Sequence, residues 1–350
     1  MAKKALVIGG SGLVGVNLVR ELLAEGWIVT STQRRLPDRQ PPGHQVLALD
    51  VLDSAGLTSA LAQLNGVTHL FFLARAWQPG YVIAREANVA ALAAVLDAVQ
   101  DWPALEHVQL VHGLKWYGSI QGPFKTPARE TDARPRAAHF YYDQHELIEA
   151  RQRGRSWAWS TLRPHCVSGV ALGSPSNVML GMGVYAALMK AQGLPLCFPA
   201  SQEAFQAKLT YTAAKLLACA MHWAAVSPAA RNQDFNVANG DIFSWQDVWP
   251  ALAGSFGMLA GPPSPQRLAS VMPAHAGLWQ QLAQREGLAN KDFTALVDWS
   301  FMDATLALEW DQTMALDKLR DRGFTATVDT PSMVLDILTE YRRVGILPSV

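Results

Sequence analysis

Residues 7–15 read V-I-G-G-S-G-L-V-G, and this stretch decides the fold. It follows a short apolar run and opens a segment, 13–24, whose apolar residues recur at helical spacing. Glycine permits a tight turn, lets the backbone approach a pyrophosphate, and leaves the amides of a helix N-terminus facing that anion. The spacing of Gly9, Gly12 and Gly15 therefore predicts a dinucleotide-binding loop between a strand and a helix.

Further cofactor contacts are expected where the predicted strands end. Asp50 ends the third strand and is placed to meet the adenine edge, and Ala74 ends the fourth and would line the cofactor backbone. The predicted cofactor-binding residues are Gly9, Ser11, Gly12, Leu13, Val14, Gly15, Arg34, Arg35, Asp50, Val51 and Ala74.

The end of the second predicted strand distinguishes NAD from NADP. An NAD site usually has Asp or Glu there to bind the ribose 2′-hydroxyl. This chain reads S-T-Q-R-R at residues 31–35 and has no acid in that stretch. Arg34 and Arg35 could grip a 2′-phosphate through forked, charged hydrogen bonds, which favours NADP(H). The alternative is that both are solvated loop arginines.

Strand-like and helix-like segments alternate through the first 165 residues. This rhythm predicts an α/β fold, a Rossmann-type doubly wound parallel sheet, followed by a mostly helical C-terminal substrate cap. We assign residues 1–168 to the NADP-binding domain, with a return segment around 205–240. Residues 169–204 and 241–350 are assigned to the cap.

The bulk composition limits the classes of partner. The 350 residues contain 29 basic and 29 acidic side chains, a formal net charge of zero, which argues against a nucleic-acid-binding surface. The three cysteines form no metal-binding pattern, and no apolar run is long enough to span a membrane. We expect a cytoplasmic protein that binds neither nucleic acid nor membrane.

The catalytic motif Tyr-x-x-x-Lys, usual for short-chain dehydrogenases, is missing from its expected helix. That helix reads F-Y-Y-D-Q-H-E at 140–146, so the residue four after Tyr141 is His145. A Tyr-x-x-x-Lys does occur at Tyr211 and Lys215, after the sixth strand, where we interpret it as a chance spacing. Lys115 in G-L-K-W-Y follows the fifth strand, where ligands of open α/β sheets bind, although a lone loop lysine is more often solvated.

Together these segments resemble the progesterone 5β-reductase and iridoid synthase-like enzymes, an atypical branch of the extended short-chain dehydrogenases. The matching pieces cover nearly the whole chain. They are G-G-S-G-L-V-G at 9–15, R-R at 34–35, E-A-N and V-L-D-A-V within 86–99, G-L-K-W-Y and G-P-F within 113–124, F-Y-Y-D-Q at 140–144, W-S-T-L-R-P at 159–164, V-Y-A-A at 184–187 and F-N-V-A-N-G-D at 235–241.

The resemblance implies roles for individual residues. It makes Lys115 the catalytic lysine, Tyr141 the catalytic tyrosine, and Arg34 with Arg35 the ligands of the NADPH 2′-phosphate. It also implies NADPH-dependent 1,4-reduction of an enone or enal. Hydride addition to the β-carbon puts negative charge on the carbonyl oxygen, and a tyrosine hydroxyl with a nearby ammonium would stabilise that enolate.

This sequence departs from the family pattern near the lysine. Trp116 stands where the family has histidine, and two extra residues separate Tyr117 from G-P-F. The residues expected to line the substrate pocket are Trp77, Trp116, His165 and Phe301. Each has an ordinary alternative, since aromatic side chains are usually core and His165 could simply complete a loop.

Two other functions use the same fold. A sugar-nucleotide epimerase or dehydratase would first oxidise an alcohol, for which the missing Tyr-Lys pair is the usual base. A non-catalytic NADP-sensing protein would keep the glycine loop without needing Lys115 and Tyr141. The expected partner is a small hydrophobic enone or enal, and homodimerisation is left open.

Overall fold

The computed structural model describes residues 2–36, 40, 42–78 and 82–349. Its strands are β1 (Lys4–Ile8), β2 (Ile28–Gln33), β3 (His44–Ala48), β4 (His69–Phe72), β5 (Trp77–Gln78), β6 (Val82–Ile83), β7 (His107–Val111), β8 (Ala158–Pro164), β9 (Val167–Ser168), β10 (Thr212–Ala213) and β11 (Gln233–Val237). Its α-helices are α1 (Leu13–Ala24), α2 (Ser54–Leu61), α3 (Arg85–Val99), α4 (Phe140–Gln152), α5 (Val178–Ala191), α6 (Gln202–Gln206), α7 (Ala214–Val226), α8 (Trp245–Gly254), α9 (Leu268–Val271), α10 (Ala276–Arg285), α11 (Trp299–Leu306), α12 (Asp317–Asp321) and α13 (Thr330–Arg343).

Seven of these strands form one parallel sheet in the order β11-β8-β7-β4-β1-β2-β3. The chain moves outward from β1 to β3, then returns past β1 to β4 and continues outward to β11. The switch point lies between β1 and β4, and ligands of such sheets bind at the carboxyl ends of the strands beside it. The predicted doubly wound α/β fold is confirmed.

Both faces of the sheet are covered, as the apolar strands require. Along β1, Ala5 and Val7 face one hydrophobic cluster, and Leu6 and Ile8 face the other. The cluster around Leu6 and Ile8 is covered by α2, α3 and α4. The opposite face is covered by α1 and α7, which lie against each other.

Local signals set the helix starts that matter for the site. The Asp53 side chain caps α2 by accepting a hydrogen bond from the Gly56 amide. His139 caps α4, because its Nδ1 accepts a hydrogen bond from the Tyr141 amide at 3.2 Å. Both caps place a strand-to-helix connection at the sheet edge where the predicted site lies.

The C-terminal helices share their core with the sheet. The apolar side chains of α5 pack in the same continuous cluster as those of β1, α1, α7 and α13. Gly181 and Gly183 of α5 are close-packed, because a Cβ there would lie 2.3 Å from Met302 and 2.4 Å from Leu347. The cap is therefore joined to one face of the sheet, and its predicted boundaries remain a prediction.

Candidate active site

The glycine loop joins β1 to α1 and comes very close to its own backbone. Gly9 has a φ of +93°, in the region that favours glycine, and a Cβ there would lie 2.9 Å from the Ala74 amide nitrogen. A Cβ on Gly15 would lie 2.3 Å from the Gly9 carbonyl oxygen. Only glycine fits at these two positions, so the loop can lie flat against the end of β4.

The start of α1 leaves donors available for an anion. Gly12 is the N-cap residue and makes no side-chain capping hydrogen bond, and the first turn contains no acidic residue. The amides of the first turn and the positive end of the helix dipole can therefore face a phosphate. Ser11 is exposed, Leu13 is buried, and Val14 is half-buried, so Ser11 lies on the open side of the loop.

This cradle fits the pyrophosphate of a dinucleotide, and the neighbouring strand ends extend it. Asp50 is exposed just after β3, and its carboxylate accepts a hydrogen bond from the Leu52 amide at 3.0 Å. Val51 packs partly against the apolar cluster under α2. Ala74 follows β4, next to Gly9.

The arginine pair follows β2 directly. Both Arg34 and Arg35 are exposed, and within the described ranges neither forms an ion pair with an acidic side chain. They lie at the carboxyl edge of the sheet, on the same side as the glycine loop. Among the described residues, no acidic side chain therefore competes with an anion for these guanidinium groups.

Tyr141 lies in the first turn of α4 and is 2% exposed. A Cβ on Gly113 would lie 3.4 Å from its hydroxyl oxygen, so the hydroxyl faces the backbone just after β7. Burial raises the pKa of Tyr141, and the positive charge of Arg75 partly opposes that rise. The group is therefore a neutral hydrogen-bond donor at ordinary pH.

Lys115 lies in a 3₁₀ helix, Leu114–Tyr117, that follows β7. Its side chain is half-buried, and burial together with the charge of Arg75 lowers the pKa of Lys115 to about 8. Its own charge helps to lower the pKa of His139 and of His165, so the ammonium lies near both imidazoles. His139 also contacts Tyr141, with ring centroids 4.3 Å apart. Lys115 and Tyr141 therefore belong to one cluster of side chains.

His145 occupies the position where the usual motif has lysine, and it faces away from that cluster. Its Nε2 lies 3.0 Å from the carboxylate of Asp234, which also forms an ion pair with Arg163 at 3.0 Å. Burial acts to raise the pKa of Asp234, but the His145 hydrogen bond and the Arg163 charge outweigh it and hold that pKa far below its usual value. His145 thus belongs to a buried ion-pair network behind α4.

Trp116 connects this network to Tyr141. The indole is 3% exposed, and the guanidinium carbon of Arg163 lies 3.8 Å from its ring centroid. The imidazole of His112 stacks on the indole at 5.5 Å and contacts the Tyr141 ring at 4.8 Å. Trp116 is therefore enclosed by protein groups, and it contacts the Tyr141 ring indirectly, through the imidazole of His112.

The other predicted pocket residues have different surroundings. Trp77 begins β5, but its side chain lies outside the described residues. The Nδ1 of His165 lies 2.7 Å from the Thr210 carbonyl oxygen, and burial lowers the pKa of His165 to about 4. Phe301 is half-buried in α11 and packs against the large cluster. Among the described members of this set, His165 is one on whose pKa the charge of Lys115 acts.

Arg75 is a site residue that the sequence reasoning missed. It follows Ala74 at the carboxyl end of β4, and its Nη2 donates a hydrogen bond to the His112 carbonyl oxygen at 3.0 Å. Its guanidinium carbon lies 5.6 Å from the centroid of the Tyr141 ring. The available signal was its position directly after a strand that ends beside the glycine loop.

The second Tyr-x-x-x-Lys does not form a catalytic pair. Tyr211 precedes α7 and is buried against Phe243 and Trp245, with ring centroids 5.0 Å and 5.9 Å away. Lys215 is exposed on α7, near Cys219. The two side chains do not share a helix face, because the tyrosine lies outside the helix.

A cavity of the described chain lies away from this cluster. This cavity of about 390 Å³ in the cap is lined by residues of 199–201, 265–268 and 303–309, and none of the predicted site residues lines it. The chemistry of the polar cluster, rather than this cavity, therefore marks the candidate site.

Within the described residues, every helix is too short or too polar to cross a membrane.

Residues 44–322 match the model of a PRISE-like Rossmann-fold domain. The chain belongs to the PRISE-like family. The (S)-8-oxocitronellyl enol synthase ISY2 of Nepeta cataria is 30% identical and aligns with 99% of this chain and 92% of its own. The 3-oxo-Delta(4,5)-steroid 5-beta-reductase of Arabidopsis thaliana is 30% identical, with 98% of this chain and 93% of its own covered. The predicted family is confirmed, and with it an oxidoreductase of the extended short-chain-dehydrogenase type.

Solved structures extend the likeness of fold. The UDP-glucose 4-epimerase of Thermus thermophilus, in complex with NAD, superimposes with a TM-score of 0.68 at 18% identity. It covers 97% of this PRISE-like chain and 99% of its own. At that identity the likeness shows the extended short-chain-dehydrogenase fold alone.

Proposed function

We propose that this PRISE-like protein is an NADPH-dependent reductase of carbon–carbon double bonds conjugated to a carbonyl group. The observation that carries the proposal is the buried Tyr141 hydroxyl, grouped with Lys115 through His139 at the carboxyl ends of β4 and β7. The names of two relatives, an 8-oxocitronellyl enol synthase and a steroid 5-beta-reductase, support the same reaction class.

The geometry suits a reaction that makes an enolate. NADPH, when bound, would supply the hydride that adds to the β-carbon of the substrate. Tyr141 would donate its hydroxyl proton in a hydrogen bond to the carbonyl oxygen, where negative charge collects. The Lys115 ammonium would add positive charge to the same cluster. A solvent proton would then complete the saturated carbonyl product at the α-carbon.

A neutral tyrosine is what this reaction needs. Because burial raises the pKa of Tyr141, its hydroxyl keeps its proton and donates a hydrogen bond without having to act as a base. An alcohol-oxidising enzyme would instead need a tyrosinate stabilised by a lysine one helical turn along, and that position is His145, held by Asp234. The arrangement thus favours reduction over the epimerase or dehydratase alternative.

The cofactor is proposed from the residues that would hold it. The loop from Gly9 to Gly15 would bind the pyrophosphate, with Ser11 before the helix, Leu13 and Val14 in its first turn, and Asp50, Val51 and Ala74 at the neighbouring strand ends. Arg34 and Arg35 would bind the 2′-phosphate as two exposed charges with no described acidic partner. These residues support NADP(H) rather than NAD as the cofactor.

The first test follows NADPH oxidation with a panel of enones and enals, including a cyclic enone and a steroid enone. We expect wild-type turnover to a saturated ketone or aldehyde, identified by mass spectrometry. Tyr141→Phe removes one donor to the developing oxyanion and should lower kcat by about a hundredfold to a thousandfold. Lys115→Ala should also lower kcat strongly.

Tyr142→Phe is the matched control for Tyr141→Phe. The Tyr142 hydroxyl donates a hydrogen bond to the Trp116 carbonyl oxygen at 2.7 Å, so it is engaged away from the site. The control should keep kcat within a few fold of the wild type. Tight NADPH binding without oxidation by any acceptor would reject the reductase and favour the NADP-sensing alternative.

A further inference from the structure

Arg75 is a cation of the site that the proposed reaction does not use. It is exposed at the carboxyl end of β4, where its Nη2 donates a hydrogen bond to the His112 carbonyl oxygen at 3.0 Å. The guanidinium lies over the face of the Tyr141 ring, 5.6 Å from the centroid. It thus lies beside the phenol ring, whose hydroxyl faces Gly113.

The backbone that carries Arg75 is held rigidly. The buried side chain of Asn88 accepts a hydrogen bond from the Ala76 amide at 2.9 Å. Its amide group donates to the carbonyl oxygens of Ala76 at 2.9 Å and Ala84 at 2.8 Å. Because these hydrogen bonds fix the backbone next to Arg75, the position from which its side chain extends is also fixed, as is needed for a binding residue.

Negative charge is scarce around this guanidinium. Asp143, an acid close enough to act on His139, is engaged by Arg85 through two hydrogen bonds of 2.7 Å and 2.8 Å. Within the described residues Arg75 forms no ion pair with an acid, and the sequence between residues 76 and 83 contains neither Asp nor Glu. The charge of Lys115 adds to the same positive field.

We propose that Arg75 binds a carboxylate of the substrate, so that the site selects enones or enals that carry an anionic group. This inference rests on the proposed reductase function. A guanidinium forms paired hydrogen bonds to the two oxygens of a carboxylate. Tyr141 would bind the carbonyl oxygen, and Arg75 would bind a second, separate group of the same molecule.

The electrostatics of the cluster agree with these separate roles for Tyr141 and Arg75. The charge of Arg75 acts against the burial that raises the pKa of Tyr141, and it lowers the pKa of Lys115. An anion bound at Arg75 would cancel part of this field, so substrate binding would favour the protonated form of Lys115. A carboxylate substrate would thereby keep the ammonium charged when the enolate forms.

The test compares two acceptors that differ only in charge. One is an open-chain enone with a carboxylate two methylene groups beyond the double bond, and the other is its primary amide. The ratio of kcat/KM for acid over amide is measured for the wild type, Arg75→Gln and Arg75→Lys. Because each ratio uses the same pair of acceptors, differences in intrinsic reactivity cancel between variants.

Arg231→Gln is the matched control. Arg231 is also exposed and also donates to a backbone carbonyl, that of Ser156 at 3.2 Å, but it precedes β11 at the amino edge of the sheet. We expect the acid-over-amide ratio to fall by about tenfold to a hundredfold in Arg75→Gln, the usual effect of losing a hydrogen bond to a charged group. Arg75→Lys should recover part of the ratio, and Arg231→Gln should not change it.

An equal ratio in the wild type and Arg75→Gln would overturn the proposal. A weaker Kd for NADPH in Arg75→Gln with the ratio unchanged would also overturn it, because the guanidinium would then serve a cofactor phosphate. If the wild type reduces neither acceptor nor any member of the enone and enal panel, the reductase function fails; whenever neither acceptor is reduced, calorimetry decides the carboxylate site separately. Tighter binding of the saturated keto acid than of the keto amide, lost in Arg75→Gln, would support the site, and equal binding would refute it.

Discussion

Replacing Asp234 with Asn should cost far more stability than the same change at the protein surface. Asp234 accepts hydrogen bonds from His145, 3.0 Å away, and from Thr161, and it forms an ion pair with Arg163 at 3.0 Å. The Arg163 side chain is 1% exposed, and within the described residues its Nε has no hydrogen-bond partner. Without the carboxylate charge, the guanidinium would keep the Tyr117 hydroxyl and the Trp116 and Tyr117 rings as close partners among the described residues, with Glu130 as a further acid acting on it.

The magnitude follows from that burial. Breaking a buried ion pair from one side leaves an uncompensated charge and costs about 3–5 kcal/mol of the free energy of unfolding. Asp317→Asn is the control, because Asp317 pairs with Arg129 at 2.7 Å while both side chains are at least half exposed. An exposed pair is worth about 0–1 kcal/mol. The two variants remove the same charge and differ in burial.

Urea denaturation measures both free energies, with coincident fluorescence and circular dichroism transitions as the check on two-state unfolding. Because the folded pKa of Asp234 is depressed, its stabilisation is complete above the unfolded pKa, near 4, and is lost as the pH falls toward the folded pKa. The difference between wild type and Asp234→Asn should therefore persist at about pH 5 and narrow in stronger acid. Equal losses in Asp234→Asn and Asp317→Asn would refute the reasoning.

Three further predictions concern the site. Because the pKa of Lys115 is about 8, kcat/KM should fall tenfold per pH unit above roughly pH 8 as the ammonium loses its proton. In Lys115→Arg this fall should begin at a higher pH. A kcat/KM that does not change with pH in this range would contradict the role of the Lys115 ammonium. Arg34→Ala and Arg35→Ala should each raise the KM for NADPH about tenfold or more and leave the KM for NADH nearly unchanged, whereas equal effects on both cofactors would reject the phosphate assignment. Gly15→Ala puts a Cβ 2.3 Å from a loop carbonyl oxygen and should abolish cofactor binding measured by NADPH fluorescence, while Gly277→Ala, with open space around it, should bind normally.

The parts of the fold that local chemistry sets could be predicted from the sequence. The helix beginning at Leu13 starts and ends at the predicted residues, because it follows a clear break and has a sustained apolar pattern. The glycine loop was recognisable because its conformation and close packing exclude any side chain at Gly9 and Gly15.

Contacts between distant segments could not be predicted in the same way. Trp116 was expected in the pocket, but its position depends on Arg163, which reaches it from β8. The sequence around His145 contains no sign of its partner, and the pairing of β8 with β11 is what brings Asp234 next to it. The position of Arg75 directly after β4 was visible in the sequence, but its contacts with His112 and Tyr141 depend on β4 and β7 ending side by side.

The shared core of sheet and cap limits how this protein can be re-engineered. Because α5 packs into the same cluster as β1, α1 and α7, its surface is fitted to this particular sheet as well as to α11 and α13. A chimaera that grafts the substrate-binding helices of a relative onto this dinucleotide half would have to carry the facing side of the sheet with it. Changes of specificity are therefore better made one side chain at a time, at positions such as Arg75, than by exchanging whole modules.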